Sequence, residues 1–401
     1  MSKLSEMMKE RPKNIRIIGV GGAGINVAKF WRNDGGERAD KFMAVCDWDA
    51  KALEQSGVSA ALKLDECKIW PGIECGAEAI EKSIDDAREL VNANRVFIVA
   101  GLGGDFGTEA APALAREAKA AGATTFGIAS LPFHCEGEKC ARRAMDGLRD
   151  LAANTDGMFI LNNESMIRHF GELLVPDALA RIYSIMSNSI DILTSTCMRD
   201  EPRWKNLDTK VVGIGRTGDE LIDYLLKRKY RKKLLATFKP TNNNTTESGN
   251  MEPLQIVLGD GRTPDLDGVM QYFGSQDSPV CVVADLGEEP EANSAPFVAR
   301  VARQMGATVF GLVILPKVSD GAAKCAKAIE TLQNLAANAE IVYAYRSDIY
   351  SGISIGMMAY KVEDINYAVD RLINLIKETR QNESETQNKN GDADSRKVEA
   401  T

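Results

Sequence analysis

The feature that most constrains the fold is that the chain is written twice. Displacing the 401-residue sequence by 184 positions lays Val96–Asn154 on Val280–Asn338 without a gap, with 24 identities in 59 positions. VFIVAGLG meets VCVVADLG, AGATTFGIASLP meets MGATVFGLVILP, and GLRDLAAN meets TLQNLAAN. The same displacement carries Tyr183 onto Tyr367, within apolar-periodic stretches at Ala178–Leu193 and Tyr360–Ile376. Near the front, Ile17–Gly24 falls on Val211–Gly218 at a displacement of 194, so the second copy is about ten residues shorter there. A repeat of this length implies two related domains rather than a solenoid of short units.

Each copy opens on a short apolar run, Ile15–Val20 or Lys210–Ile214, followed by a glycine turn and a helical pattern. Further β-type runs follow at Phe42–Cys46, Arg95–Ala100, Thr124–Ala129 and Met158–Leu161. Their counterparts are Val280–Ala284, Thr308–Ile314 and Glu340–Ala344. Amphipathic stretches such as Ala110–Ala121 and Gly137–Ala153 separate them. Apolar strands alternating with helices specify an α/β fold with mostly parallel sheets covered on both faces. The expected division is an N-terminal extension at 1–13, domains at 14–208 and 209–378, and a tail at 379–401. Thr241–Asn250 reads as a polar loop. The tail is too poor in apolar residues to offset the entropy of ordering it.

Charge and cysteine usage narrow the function classes. The 49 basic and 57 acidic residues leave a net charge of −8, which disfavours nucleic acid as a partner. The dense basic segment Lys227–Lys233 reads as a solvated helix end. No apolar run is long enough to span a bilayer, and Met1–Lys13 has no export-signal core. The 8 cysteines contain no CxxC pair and read as reduced thiols, so the expected compartment is the cytoplasm. Two histidines, His134 and His169, give no metal-binding or triad spacing.

Gly19-Val-Gly21-Gly22-Ala-Gly24 fits G-x-G-x-x-G between a strand and a helix, where backbone N–H groups and the helix N-terminus favour phosphate. Alone it fits an NAD(P) site as well, with Asp47 or Asp49 as ribose acid. A second loop, Gly101-Leu-Gly103-Gly104-Asp105-Phe106-Gly107-Thr108-Glu109, also follows a strand and precedes a helix, with Pro112 expected in the first turn. This pair of loops resembles the tubulin/FtsZ superfamily, whose signature is GGGTGTG, and FtsZ more than tubulin. GVGGAGIN resembles the first FtsZ loop, with Asn26 at its guanine-side asparagine. Asp49–Leu53 resembles DAQAL, and Leu131–Gly137 resembles the PFxFEG ribose loop. Phe159–Glu164 resembles IVIPND and puts Asn163 at a guanine contact. Asn206-Leu207-Asp208 resembles the NLD of the synergy loop, after a central helix near Ala178–Leu193.

The resemblance implies two tandem Rossmann-like domains of the GTPase type, without the FtsZ C-terminal domain. It implies GTP or GDP, and Mg²⁺, as cofactors. The implied nucleotide residues are Gly21, Gly22, Asn26, Gly103, Gly104, Gly107, Thr108, Glu136 and Asn163, with Asn206 and Asp208 as catalytic residues. Head-to-tail self-association into filaments and attachment to a membrane through an adaptor protein also follow from it. The departures are specific. Asp105, Phe106 and Glu109 replace small or hydroxyl residues, so Asp105 either recruits Mg²⁺ or repels phosphate. Cys140 stands where the family has arginine, and Pro71–Ala77 keeps a trace of the γ-phosphate loop. The second catalytic acid after Asp208 is replaced by Val211, and Arg203-Trp204-Lys205 precedes Asn206, so hydrolysis is expected to be slow or absent. In the second copy the phosphate loop becomes Asp285–Asn293, while Asn26, Phe133 and Asn163 become Glu220, Lys317 and Ser347. That copy reads as structural. If the copies stack like neighbours in a protofilament, Asn206 and Asp208 face the degenerate site of their own molecule. A nucleotide-free pseudo-GTPase scaffold and, more distantly, an NAD(P)-dependent oxidoreductase stand as alternatives.

Overall fold

The computed structural model describes residues 15–35, 42–65, 76–170, 173–194, 209–227, 230–231, 234–240, 254–258, 272–273, 279–288 and 293–347. The first half contains β1 (Ile15–Val20), α1 (Gly21–Gly35), β2 (Met43–Asp47), α2 (Ala50–Ser56) and β3 (Ala61–Lys63). It continues with α3 (Gly76–Lys82), α4 (Ile84–Leu90), β4 (Arg95–Gly101), α5 (Gly107–Ala120), β5 (Thr124–Leu131) and α6 (Glu138–Ala153). It closes with β6 (Gly157–Asn162), α7 (Asn163–Phe170) and α8 (Val175–Thr194). The second half contains β7 (Lys210–Ile214), α9 (Gly215–Lys227), β8 (Leu235–Pro240), β9 (Leu254–Leu258) and β10 (Val280–Asp285). The described part ends with α10 (Ser294–Gln304), β11 (Val309–Leu315), α11 (Ala322–Ala336) and β12 (Ile341–Arg346).

All these strands form one sheet of 12, in the order β3-β2-β1-β4-β5-β6-β12-β11-β10-β7-β8-β9. Read from either edge inward, the two halves have the same strand succession. Every neighbouring pair is parallel except β6 and β12, which run antiparallel. The strands are apolar on both faces because helices cover both. Ile18, Val96 and Ile98 enter one core layer, with Leu148 of α6 and Leu332 of α11. Ile17, Phe97 and Val99 enter the other, with Ile182 of α8 and Leu221 of α9. Both layers run across the two halves. Pro112 lies a turn deeper in α5 than expected, where its missing N–H forfeits the bond to the Thr108 carbonyl.

The seam corrects the expectation of protofilament-like stacking: the halves join edge to edge through strands. In the β6–β12 register Phe159 sits opposite Tyr343, and these two residues are counterparts under the 184-residue displacement. A pseudo-two-fold axis therefore passes between them, and their rings meet edge to face at 5.0 Å. The polar contacts follow the same symmetry. Asn162 donates through Nδ2 to the carbonyls of Ala336 and Ala337, at the end of α11 (3.0 and 3.5 Å). Its counterpart Arg346 is 2% exposed and donates to Ala152 and Ala153 at the end of α6 (2.8 and 3.4 Å), and to Thr155 (3.0 Å). Both side chains thus serve the carbonyls left unpaired at a helix C-terminus.

Asn206, Asp208, the segment 203–205, residues 71–75 of the glycine-rich segment, Thr241–Asn250, the stretch Tyr360–Ile376, and the 1–13 and 379–401 segments lie outside the described residues. Lys227–Lys233 is described only in part.

Candidate functional site

The two glycine loops meet because β1 and β4 are adjacent and parallel, bringing Val20 level with Ala100. Each strand then hands over to a helix, α1 or α5, whose first N–H groups lie at that edge of the sheet. The loop glycines divide into two kinds. Gly21 has φ +71°, and a Cβ there would stand 3.2 Å from the Gly107 nitrogen, so the close approach of the loops needs glycine. Gly22 and Gly104 differ: a Cβ at either would meet nothing within 4 Å. They border open space beside two helix N-termini, a setting suited to an anion.

Thr108, which the resemblance assigns to hydroxyl support, closes the second loop from inside. Its buried Oγ1 accepts the Gly103 N–H at 2.8 Å and donates to the Gly104 carbonyl at 2.6 Å. Phe106 turns into the core against Trp48, with ring centroids 5.1 Å apart. The two acids are met by Arg143 of α6. Its guanidinium contacts the Asp105 carboxylate through Nη1 and Glu109 through Nη2 at 3.3 Å. Partial burial works against the Arg143 cation, and the paired acids outweigh it and raise its pKa. Glu109 also accepts the Gly76 N–H at 2.8 Å. Asp105, whose side chain is 77% exposed, meets Arg143 through Oδ1 alone. Among the described residues no three His, Cys, Asp or Glu side chains gather in one place.

The base and ribose candidates lie along the same edge. Asn26 reaches Tyr183 of α8 through Nδ2 at 3.4 Å, which ties the first loop's helix to the central one. Glu136 accepts the Phe133 N–H at 2.8 Å and the Cys140 thiol at 3.7 Å. Burial, and then the Glu136 carboxylate, raise the Cys140 pKa. Asn163 begins α7 and is 7% exposed, and its Oδ1 has no hydrogen-bond partner among the described residues. A buried carbonyl oxygen without a donor costs free energy and calls for a ligand or water. Asp49 is spent as the N-cap of α2, accepting from Lys51 and Ala52, and Asp47 accepts the Asp49 N–H at 3.1 Å.

The second half keeps the turn but not the space. Gly215 has φ +71°, as Gly21 does. The counterparts of Gly22 and Gly104 are Arg216 and Glu288, and these form an ion pair at 2.8 Å. Two side chains stand where the first half has none.

Residues 14–171 match the family model described as the tubulin/FtsZ family, GTPase domain. The cell division protein FtsZ of Aquifex aeolicus (strain VF5) is 30% identical over 290 residues, 67% of this chain and 76% of that protein. The chain belongs to the tubulin/FtsZ family. Among other FtsZ proteins, that of Methanothermobacter thermautotrophicus is 33% identical over 172 residues, covering 41% of this chain and 44% of its own length. The mitochondrial division protein fszA of Dictyostelium discoideum is 30% identical over 202 residues, 49% of this chain and 38% of its own. The chain thus spans three quarters of one curated FtsZ relative and under half of these other two. A solved FtsZ dimer from M. jannaschii, described as empty, covers 86% of each chain at 20% identity and a TM-score of 0.43. Among the described residues no helix is long and apolar enough to cross a membrane.

Arg143 was not legible as a site residue. Its role arises where α6 passes α5, and no local spacing reports that crossing.

Proposed function

We propose that the first half binds one guanine nucleotide, GTP or GDP, and that the second half is a degenerate copy of the same domain. The open space bordered by Gly22 and Gly104, set against the Arg216–Glu288 pair in the second half, carries this reading. Gly21, Gly22, Gly103, Gly104 and Gly107 would cradle the phosphates by backbone N–H groups, Thr108 would hold the loop, Glu136 would accept from the ribose, and Asn26 and Asn163 would face the base. Arg143 offsets one of the two negative charges, Asp105 and Glu109, whose repulsion favoured a nucleotide-free scaffold. The acids that an NAD(P) site would use serve the backbone instead.

Family membership supports head-to-tail self-association in the cytoplasm as a cytoskeletal protein. In such a filament each subunit would be a pair of halves joined through the edge-to-edge seam. Hydrolysis is slow in this reading, because the loop with Asn206 and Asp208 offers Val211 in place of a second acid. The test is nucleotide released from purified, denatured protein, followed by GTP titration of Gly104→Val and Glu288→Val. One site per chain, lost in the first variant and kept in the second, is expected. Two sites, or none in the wild type, would refute the reading. Phosphate release near 1 s⁻¹ at saturating GTP, an ordinary enzyme rate, would refute slow hydrolysis.

A further inference from the structure

The segment that begins with Asn163 is gripped at both ends by the second half. On the near side, the Asn162 N–H donates to the Glu340 carbonyl at 2.9 Å, and its Nδ2 donates to Ala336. Its Oδ1 accepts the Ser165 N–H at 3.2 Å, in the first turn of α7. On the far side, Arg168 contacts the Glu340 carboxylate and the Ala307 carbonyl. Glu340 is 0% exposed, and its other oxygen accepts the Val309 N–H at 2.6 Å. His169 Nε2 stands 3.9 Å from the same carboxylate.

The pseudo-symmetry fails here too. The counterpart of Glu340 is Asp156, which accepts the Thr125 N–H at 2.8 Å, as Glu340 accepts Val309. Asp156 takes its cation from its own half, Lys119 at 3.0 Å. The counterpart of Lys119 is Arg303, which donates to the Ala337 carbonyl at 3.1 Å instead. Glu340 takes its cation from the other half. Position 352, which would match Arg168, is glycine. The arrangement therefore runs one way, from the second half to the helix behind the orphaned Asn163 oxygen.

We infer that the second half is the mount of the base-reading helix, and that Glu340, through Arg168, is a positioning residue that fixes where Asn163 points. The inference rests on the proposed nucleotide site and adds a task for the half that has lost its own. A carboxylate buried this deeply holds its partner in one geometry, since releasing it leaves a charge without water. An asparagine aimed by such a clamp discriminates bases by an oriented hydrogen bond, and losing that alignment costs about tenfold in affinity.

The test uses full-length protein and the variants Glu340→Gln, Arg168→Met and Arg168→Lys. GTP, ATP and inorganic tripolyphosphate are titrated into each, and amide exchange is followed in the nucleotide-free proteins. In Glu340→Gln and Arg168→Met, preference for GTP over ATP should fall about tenfold while tripolyphosphate affinity stays unchanged. Exchange in 163–170 should rise without nucleotide, and Arg168→Lys should recover most of the preference. Should Glu340→Gln fail to fold, Arg168→Met, altered at a partly exposed side chain, carries the same test. Lowered stability with unchanged base preference would overturn the inference and leave the nucleotide site standing. A wild type that binds GTP no better than ATP would overturn the base reading itself.

Discussion

Gly103→Ala tests the geometry of the second loop most severely. Gly103 has φ +110°, and a Cβ there would lie 2.5 Å from the Cys140 sulfur, 3.2 Å from its carbonyl oxygen and 3.4 Å from Pro132. Two costs add. Holding alanine at this φ costs about 1–3 kcal/mol, and forcing a methyl against the thiol costs about 1–3 kcal/mol. The variant should therefore lose about 2–6 kcal/mol, a large share of a typical domain's stability. The two parts are separable because Cys140→Ala removes the sulfur and leaves the backbone conformation alone. In a double-mutant cycle, Gly103→Ala in the Cys140→Ala background should cost about 1–2 kcal/mol less than in the wild type, since the touching pair is coupled. The measurement is urea unfolding of the four proteins, followed by tryptophan fluorescence and circular dichroism. Additivity within about 0.5 kcal/mol would show that the sulfur is not the obstacle. A neutral single variant would refute the loop geometry altogether.

Other expectations concern single groups. Thr108→Val deprives the Gly103 N–H and the Gly104 carbonyl of their partner and should cost about 1–3 kcal/mol, with weakened nucleotide binding. Thr108→Ser should restore both in the same calorimetric and binding assays, and equal losses in the two variants would count against the hydroxyl. Arg346→Met leaves the α6 C-terminal carbonyls bare in the seam and should lower stability by about 2–4 kcal/mol. An unchanged urea midpoint would contradict that role. Asp47 is 4% exposed, and burial holds its carboxyl above the usual range. The folded state therefore favours the protonated form, and stability falls as pH rises from about 4 through the raised folded value. Asp47→Asn keeps the acceptor for the Asp49 N–H, so it should raise the melting temperature at pH 7. The gain should shrink below about pH 4, where Asp47 is protonated folded or unfolded. A gain that does not vary with pH would refute the titration argument.

Much of the architecture was legible because apolar runs and glycine turns are local signals. β1 and β7 fall on the expected residues, and the other expected strands shift by one or two residues at their ends. The seam was not legible, since a register between strands far apart in sequence leaves no local trace. One clue was present in the composition of β6. Met158, Phe159, Ile160 and Leu161 are all apolar and all buried, whereas a free edge strand normally carries charge or turns one face to water. A strand at the end of a half-sheet with no charged residue to guard its edge fits a sheet that continues past it. The glycine positions of the site were readable from the motif, but which of them face open space depended on neighbours such as Val99 and Cys140. Arg143 and Glu340 were hidden for the same reason, because their partners are supplied by other helices or by the other half.

The covalent joining of the two halves changes what the seam between Phe159 and Tyr343 can become. Two separate copies meeting about such an axis would part on dilution, and the contact would exist only above a threshold concentration. Within one chain the neighbour's local concentration is set by the linker and does not fall with dilution. Inheritance changes as well. In a pair of identical chains every substitution appears on both sides of the axis, so a residue useful on one side must also be tolerated on the other. In this chain each side mutates alone. Glu340 can turn to Arg168 while Asp156 keeps Lys119, and Arg216 and Glu288 can fill one cradle while the other stays clear. Two halves of one chain can differ in this way, whereas the two sides of a symmetric pair of identical chains cannot.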